Sequence, residues 1–292
     1  MSLAPFLEAT RLRVDRRLAE LIPAPGSDPA VVTGPIHYAL TSPGKRIRPA
    51  VLFAVGRLFR ADEEPLLDPA CAVEMVHASS LVFDDLPSMD NADLRRGRPT
   101  VHRVHGEAMA ILAGLELLHR AFGVLAEEGK RRRGFPLGEM VELLSRAIGV
   151  DGVVGGQAVD LTAPPKSVDL PTLEFIHSHK TGALFIAAAE AGALLSGARV
   201  AERRAVVDYA KNLGLAFQIT DDLLDVVGDA ATMGKPTGAD AGKTTFVSFL
   251  GVDGARRLAA ELTGFAEECL RPFGARGELL VALARYVRDR SQ

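Results

Sequence analysis

The chain has 292 residues, 48% hydrophobic and 24% charged, with a formal net charge of -3. That composition can fill a large core and excludes a disordered chain, and the slight negative charge argues against a nucleic-acid partner, whose backbone calls for a basic face. Only two cysteines occur, Cys71 and Cys269, which suits packing in a reduced compartment and excludes a disulfide framework.

Apolar residues recur at helical spacing almost everywhere, and strand-like alternation is nearly absent. Gly and Pro fall where helices would end and do not mark hairpins, so the expectation is an all-α helical bundle. No Pro/Gly/Ser-rich linker or shift of composition interrupts it, which predicts one domain over 1–292.

The first motif, "SPGKRIRP", sets Lys45, Arg46 and Arg48 between turn residues and leads into a helix marked by Val51, Leu52, Val55, Leu58 and Phe59. A second apolar helix carries Val73, Val76, Ser80, Val82 and Phe83 and runs into Asp84 and Asp85. Pro87 should end or bend that helix, so that Asp90 can fold back toward the pair. His77 lies two turns before Asp84 on the same stripe. After it, "DLRRGRP" supplies Arg95, Arg96 and Arg98.

Farther on, the basic tract from Lys130 to Arg133 precedes Gly134 and Pro136 and is expected to be a solvated loop. "HKTGAL" brings Lys180 and Thr181. The apolar stretch from 183 to 195 is too short to span a bilayer and carries Glu190. With no signal-peptide core at the N-terminus, the expectation is a cytoplasmic protein with no stable membrane insertion.

In "FQITDDLLDVVGD", Asp221 and Asp225 fall four apart on one helix face, with Gln218 a turn earlier and Asp222 beside them. Like charges at that spacing cost a helix about 0.2–0.5 kcal/mol unless a cation is present. Last comes "MGKPTGADAGKT", with Lys235 and Lys243, which does not have the spacing of a nucleotide-binding P-loop.

Two carboxylate clusters without Cys or paired His favour a hard cation such as Mg2+, which takes one or two carboxylates and completes its shell with phosphate oxygens. The scattered Lys and Arg would meet the same anion, Arg in a bidentate way and Lys as a point charge. Singly, each of these cations reads as a surface residue; the weight comes from their presence together with both clusters. Three Glu-x-x-His pairs, at Glu74/His77, Glu116/His119 and Glu174/His177, also match the spacing of di-iron carboxylate bundles, a rival that leaves the Asp pairs and basic motifs without a role.

Taken in order, "SPGKRIRP", "VHASSLVFDDLPSMDNADLRRGRPTVH", "GGQAVDL", "IHSHKTGAL", "GLAFQITDDLLDVVGD" and "GKPTGADAGKTT" resemble the trans-isoprenyl diphosphate synthases, which include the farnesyl and geranylgeranyl diphosphate synthases. The resemblance implies an isoprenoid synthase-type bundle around a central cavity. It implies head-to-tail condensation of isopentenyl diphosphate with an allylic diphosphate (dimethylallyl, geranyl or farnesyl), and a homodimer. By that likeness Asp84, Asp85, Asp90, Asp221 and Asp225 hold three Mg2+ on the allylic diphosphate, with Arg95, Lys180 and Lys235 assisting. Lys45, Arg48, His77 and Arg96 hold the isopentenyl diphosphate. Thr181 and Gln218 lie near the developing cation, and Asp222 belongs to the catalytic set.

The family's aromatic plugs would fall at Ser79 and Ser80, so the product tunnel should continue to Val76 and Met75, one helical turn of about 5.4 Å deeper. This suggests a C20 product, with a farnesyl product or a non-catalytic partner subunit as alternatives. Pro43, Asn91 and Leu115 depart from common family residues without removing a ligand. Arg288 and Arg290 stand where relatives often place basic residues that close the site, or else in a frayed terminus.

Overall fold

A computed structural model describes residues 2–163, 168–227 and 244–290. Lys235 and Lys243 lie outside the described residues. Among the described residues the elements are helical apart from one two-stranded hairpin, and they group into two compact units, Met1–Phe53 with Asp62–Glu142 and Ala54–Ala61 with Leu143–Gln292.

The first unit contains α1 (Leu3–Leu21), α2 (Ala30–Leu40), the start of α3 (Ile47–Leu58), α4 (Leu67–Asp84), α5 (Val101–His105), α6 (Glu107–Arg131) and the start of α7 (Leu137–Ile148). α4 is its central helix, buried around nearly its whole circumference and packed on α6, α1 and α2. It stops at Asp84 because Leu86 precedes Pro87, and a residue before proline is driven out of the helical region. The chain then turns so that the Asp90 amide donates to the Asp84 carbonyl at 2.9 Å, the fold-back expected of Asp90.

Two expectations fail in this unit, one of them in part. A hairpin does occur: β1 (Leu94–Arg95) pairs antiparallel with β2 (Arg98–Pro99), and the two residues between them, Arg96 (φ 54°) and Gly97 (φ 75°), take the left-handed pair that a two-residue turn demands. Neither strand is long enough to show alternation, so only the Arg-Gly dipeptide could have signalled it. The basic tract is a loop only from Arg132 on, although Lys130, Arg131 and Arg133 are solvent-exposed as expected. Lys130 and Arg131 are the last residues of α6, where cations oppose the helix dipole, and Arg131 pairs with Asp68 and Glu128 while Arg132 pairs with Glu128.

The second unit contains α8 (Val153–Thr162), α9 (Leu170–Ile176), α10 (Ala183–Leu195), the long α11 (Val200–Val227), α12 (Phe246–Cys269) and α13 (Glu278–Asp289). α10 is almost wholly buried. α11 packs on α10 and α12, and its core face, through Ala216, Ile219 and Leu223, meets Leu173, Phe246 and Ala259. α12 starts with a reciprocal capping box between Thr245 and Ser248. Between α9 and α10 the chain winds as a π-helical turn over His177–Gly182, a wider coil that recurs at functional sites.

Among the described residues, two helical stretches have the length and hydropathy to cross a membrane, Glu64–Asp84 and Glu107–Arg131. In the first, 83% of the apolar window is buried in the protein, as in a core helix, against 39% in the second.

Candidate active site

At the end of α4, Asp85 is 3% exposed, Asp84 is half-buried and Asp90 is exposed. The hairpin delivers Arg95 onto the pair: its guanidinium lies 2.6 Å from Asp85 Oδ1 and 3.3 Å from Asp84 Oδ2. Burial nevertheless outweighs that ion pair, and with Asp84 and Asp90 adding repulsion the Asp85 carboxyl is pushed up to about 6. A carboxylate held this uncomfortably gains from any further cation. Among the described residues no three His, Cys, Asp or Glu side chains already converge as a metal cage. The donors that are present are all hard carboxylate oxygens beside phosphate-competent arginines, a set that fits Mg2+ shared with a diphosphate.

One turn and more before Asp85, α4 and its neighbours line a cavity of about 40 Å³ with His77, Asp85, Arg95 and Arg96, joined by Arg46 and Glu74. His77 is 8% exposed. Burial, then Arg48, Arg96 and the other nearby arginines, hold its pKa well below the usual histidine value, so the ring is neutral at neutral pH. Arg48 is half-buried and Lys45 exposed. Arg48, Arg95 and Arg96 all lie near enough to His77 to act on its ring, although the sequence reading assigned Arg48 and Arg96 with His77 and Lys45 to one diphosphate and Arg95 to the other. That reading missed the part played by Glu74, whose Oε1 takes Arg46 Nη1 at 2.8 Å in place of a metal. The other Glu-x-x-His pairs fare no better as ligands: Glu116 and His119 are 3.7 Å apart on an open face, and His177 rests on the Phe246 ring.

In the second unit the expected residues are linked by hydrogen bonds. Thr181 Oγ1, carried on the π-helical turn, donates to Gln218 Oε1 at 3.0 Å, and Gln218 Nε2 donates to Asp222 Oδ1 at 3.0 Å. Asp222 Oδ2 accepts the amide of Phe246 at 3.0 Å, so this buried carboxylate ties α11 to the start of α12 and orients Gln218. Lys180 Nζ lies 2.7 Å from Asp160 of the "GGQAVDL" segment, a partner the sequence did not reveal.

Asp221 and Asp225 share the face of α11 that their spacing predicts. Asp225 is buried, and the Asp221 side chain is 43% exposed. Arg290 donates to Asp221 Oδ1 at 2.9 Å, and its guanidinium carbon lies over the Phe217 ring, 4.1 Å from the centroid. The described C-terminus is thus anchored at Arg290 and not frayed.

An all-α protein with two acidic helix ends, each beside a fixed arginine, is what the fold and these side chains define. The chain belongs to the polyprenyl synthetase family, whose sequence model matches residues 29–268. It is 43% identical over 298 residues to the farnesyl diphosphate synthase of Escherichia coli (strain K12), covering 98% of both chains. It is 44% identical over 273 residues to geranylgeranyl pyrophosphate synthase 9, chloroplastic, of Arabidopsis thaliana, covering 89% of this chain and 74% of that one. A geranyltransferase from Helicobacter pylori, solved with magnesium and isoprenyl diphosphate, superposes with a TM-score of 0.85 at 29% identity over 97% of this chain and 95% of its own. The fold is the all-α isoprenoid synthase fold.

Proposed function

We propose that this chain is a Mg2+-dependent trans-prenyltransferase that condenses isopentenyl diphosphate with an allylic diphosphate and makes geranylgeranyl diphosphate. The observation that carries the reading is the pairing of Asp84 and Asp85 with Arg95 at the end of a buried helix, beside a cavity lined by His77 and Arg96. Both units belong to one synthase domain in this reading, since the family model runs through them.

Bound by Asp84, Asp85, Asp90, Asp221 and Asp225, Mg2+ would supply the positive charge that stabilises a departing diphosphate. Arg95 and Lys180 add fixed donors to the same leaving group, Arg95 already oriented by Asp85 and Lys180 by Asp160, and Lys235 would add a further cation. Lys45, Arg48, Arg96 and neutral His77 hold the isopentenyl diphosphate. Thr181 and Gln218, locked to each other and to Asp222, turn oxygen dipoles toward the carbon that becomes cationic. No side chain need act as a covalent nucleophile.

The C20 product is supported by the small residues of α4. Ser79 donates to the Gly114 carbonyl at 2.7 Å and Ser80 to the His77 carbonyl at 2.8 Å, so neither hydroxyl needs room of its own; Val76 and Met75 lie buried a turn deeper. The bacterial farnesyl synthase relative favours a second reading, a C15 product. A homodimer is supported by the exposed apolar face of α6, where Ile111, Leu112 and Leu115 are 46%, 45% and 55% exposed. A cytoplasmic site of action belongs to the same reading. Sizing the product that purified protein makes from labelled isopentenyl diphosphate and each allylic primer tests it: C20 supports the reading, C15 favours the alternative, and no elongation rejects the enzyme.

A further inference from the structure

Resting on that reading, we infer that the buried pair Glu74–Arg46, with Asp15, is a positioning device for the isopentenyl diphosphate site. Arg46 is 6% exposed and sits in the left-handed region (φ 49°), a conformation an arginine adopts only when its surroundings hold it there. Its surroundings do. Nε donates to Asp15 Oδ1 at 2.7 Å, Nη1 to Glu74 Oε1 at 2.8 Å, and Nη2 to the carbonyls of Leu40 at 2.8 Å and Ser42 at 3.3 Å.

One planar guanidinium thereby ties α1, the end of α2 and α4 to the loop that carries its own neighbours, Lys45 and Arg48. An ammonium could not span those four acceptors. From the other side, Arg96 Nη1 donates to the Pro43 carbonyl at 2.7 Å and stands where a Cβ on Gly44 would come within 2.5 Å of it. The loop is held between two arginines, one inside and one outside.

Glu74 is the inner end of this clamp and is 2% exposed. It lies one helical turn before His77 and lines the same cavity. Its Oε2 is buried and takes no hydrogen bond from the protein, a costly arrangement for a stability role alone. Its negative charge permits Arg46 to be buried among Arg48, Arg95 and Arg96, and fixes where Lys45 and Arg48 begin. Glu74 and Arg46 act through the loop and His77 and do not themselves touch substrate.

The test uses the full chain with Mg2+. Glu74→Gln preserves shape and an acceptor for Arg46, and Arg46→Lys preserves charge. Each should raise the KM for isopentenyl diphosphate by on the order of tenfold, the loss expected of a charge-assisted hydrogen bond. The KM for the allylic diphosphate and kcat should stay within about twofold to threefold, since no ligand of the transition state is removed. The double variant should be little worse than either single one.

A purely structural role would lower the melting temperature and leave the KM ratio unchanged, and that result overturns the inference. If Glu74→Gln does not fold, Asp15→Asn, at a partly exposed position, gives the same readout. Titration calorimetry with inorganic pyrophosphate, wild type against Glu74→Gln, needs no turnover. Weaker binding in the variant supports the clamp even where prenyl transfer is absent, and equal binding removes it.

Discussion

The two acidic helix ends differ in what neutralises them. At the end of α4 the partner is local: Arg95 comes from a hairpin ten residues on, and the buried Asp85 carries a carboxyl raised to about 6 by desolvation. On α11 the partner is remote: Arg290 arrives from 69 residues away, at the described chain end, onto an Asp221 that is partly open to water. The local pair is set by a short hairpin that follows the helix directly. The remote pair is not loose for being remote: the Arg290 side chain is 10% exposed and sits over the Phe217 ring, so only its carboxylate partner meets water.

The largest effect should come from removing either cluster's lead carboxylate. Asp84→Ala and Asp221→Ala should each lower turnover by about a hundredfold to a thousandfold, the scale for loss of one charge-stabilising group. Steady-state assays with saturating Mg2+ check this, and near-normal turnover in either would remove that cluster from the metal site. The adjacent Asp222→Ala should differ in kind. It frees the Phe246 amide and Gln218, so the expected loss includes about 1–3 kcal/mol of stability, read as a lower urea midpoint.

Next in size is a change of product. Ser79→Phe should shorten the chain made, as seen by reversed-phase sizing; an unchanged distribution would place the tunnel floor elsewhere. The arginines sharpen the contrast between the two ends. Arg95→Gln should slow catalysis strongly, because it removes both a diphosphate donor and the orientation of Asp85. Arg290→Gln removes a competitor from Asp221 and should tighten Mg2+ binding in calorimetry, because the carboxylate no longer shares its charge with a guanidinium. Weaker binding would instead make Arg290 part of the metal site's support.

The smallest effect concerns pH. His77 has its pKa lowered well below 6.5 by burial and by arginines, so the folded protein resists the proton that the unfolded chain accepts. Stability is therefore complete above about pH 6.5 and falls as the pH drops below it, by at most about 1.4 kcal/mol per pH unit for one proton. Urea titrations at stepped pH should show a shallower fall in His77→Gln.

Much of this was legible in the sequence. The 3.6-residue spacing of apolar positions gave the helices, Pro87 gave the stop after Asp84, and the spacing of Asp221 and Asp225 gave their shared face. What escaped was geometry without a periodic signal. The hairpin that aims Arg95 has strands of two residues each, and the π-helical turn under Lys180 and Thr181 has the composition of an ordinary helix. Glu74 showed the right spacing to His77 but the wrong partner, since sequence spacing does not reveal that Arg46, 28 residues earlier, folds onto it. Arg290 could be placed near the site only by likeness, and its choice of Asp221 depends on tertiary packing.

The most direct test of the central claim is a single turnover experiment on the purified chain with labelled isopentenyl diphosphate and farnesyl diphosphate, run with Mg2+ and again with excess EDTA. Geranylgeranyl diphosphate formed with Mg2+, absent with EDTA and restored by added Mg2+, is the predicted result. Elongation that proceeds equally in EDTA, or none in either condition, would contradict the account.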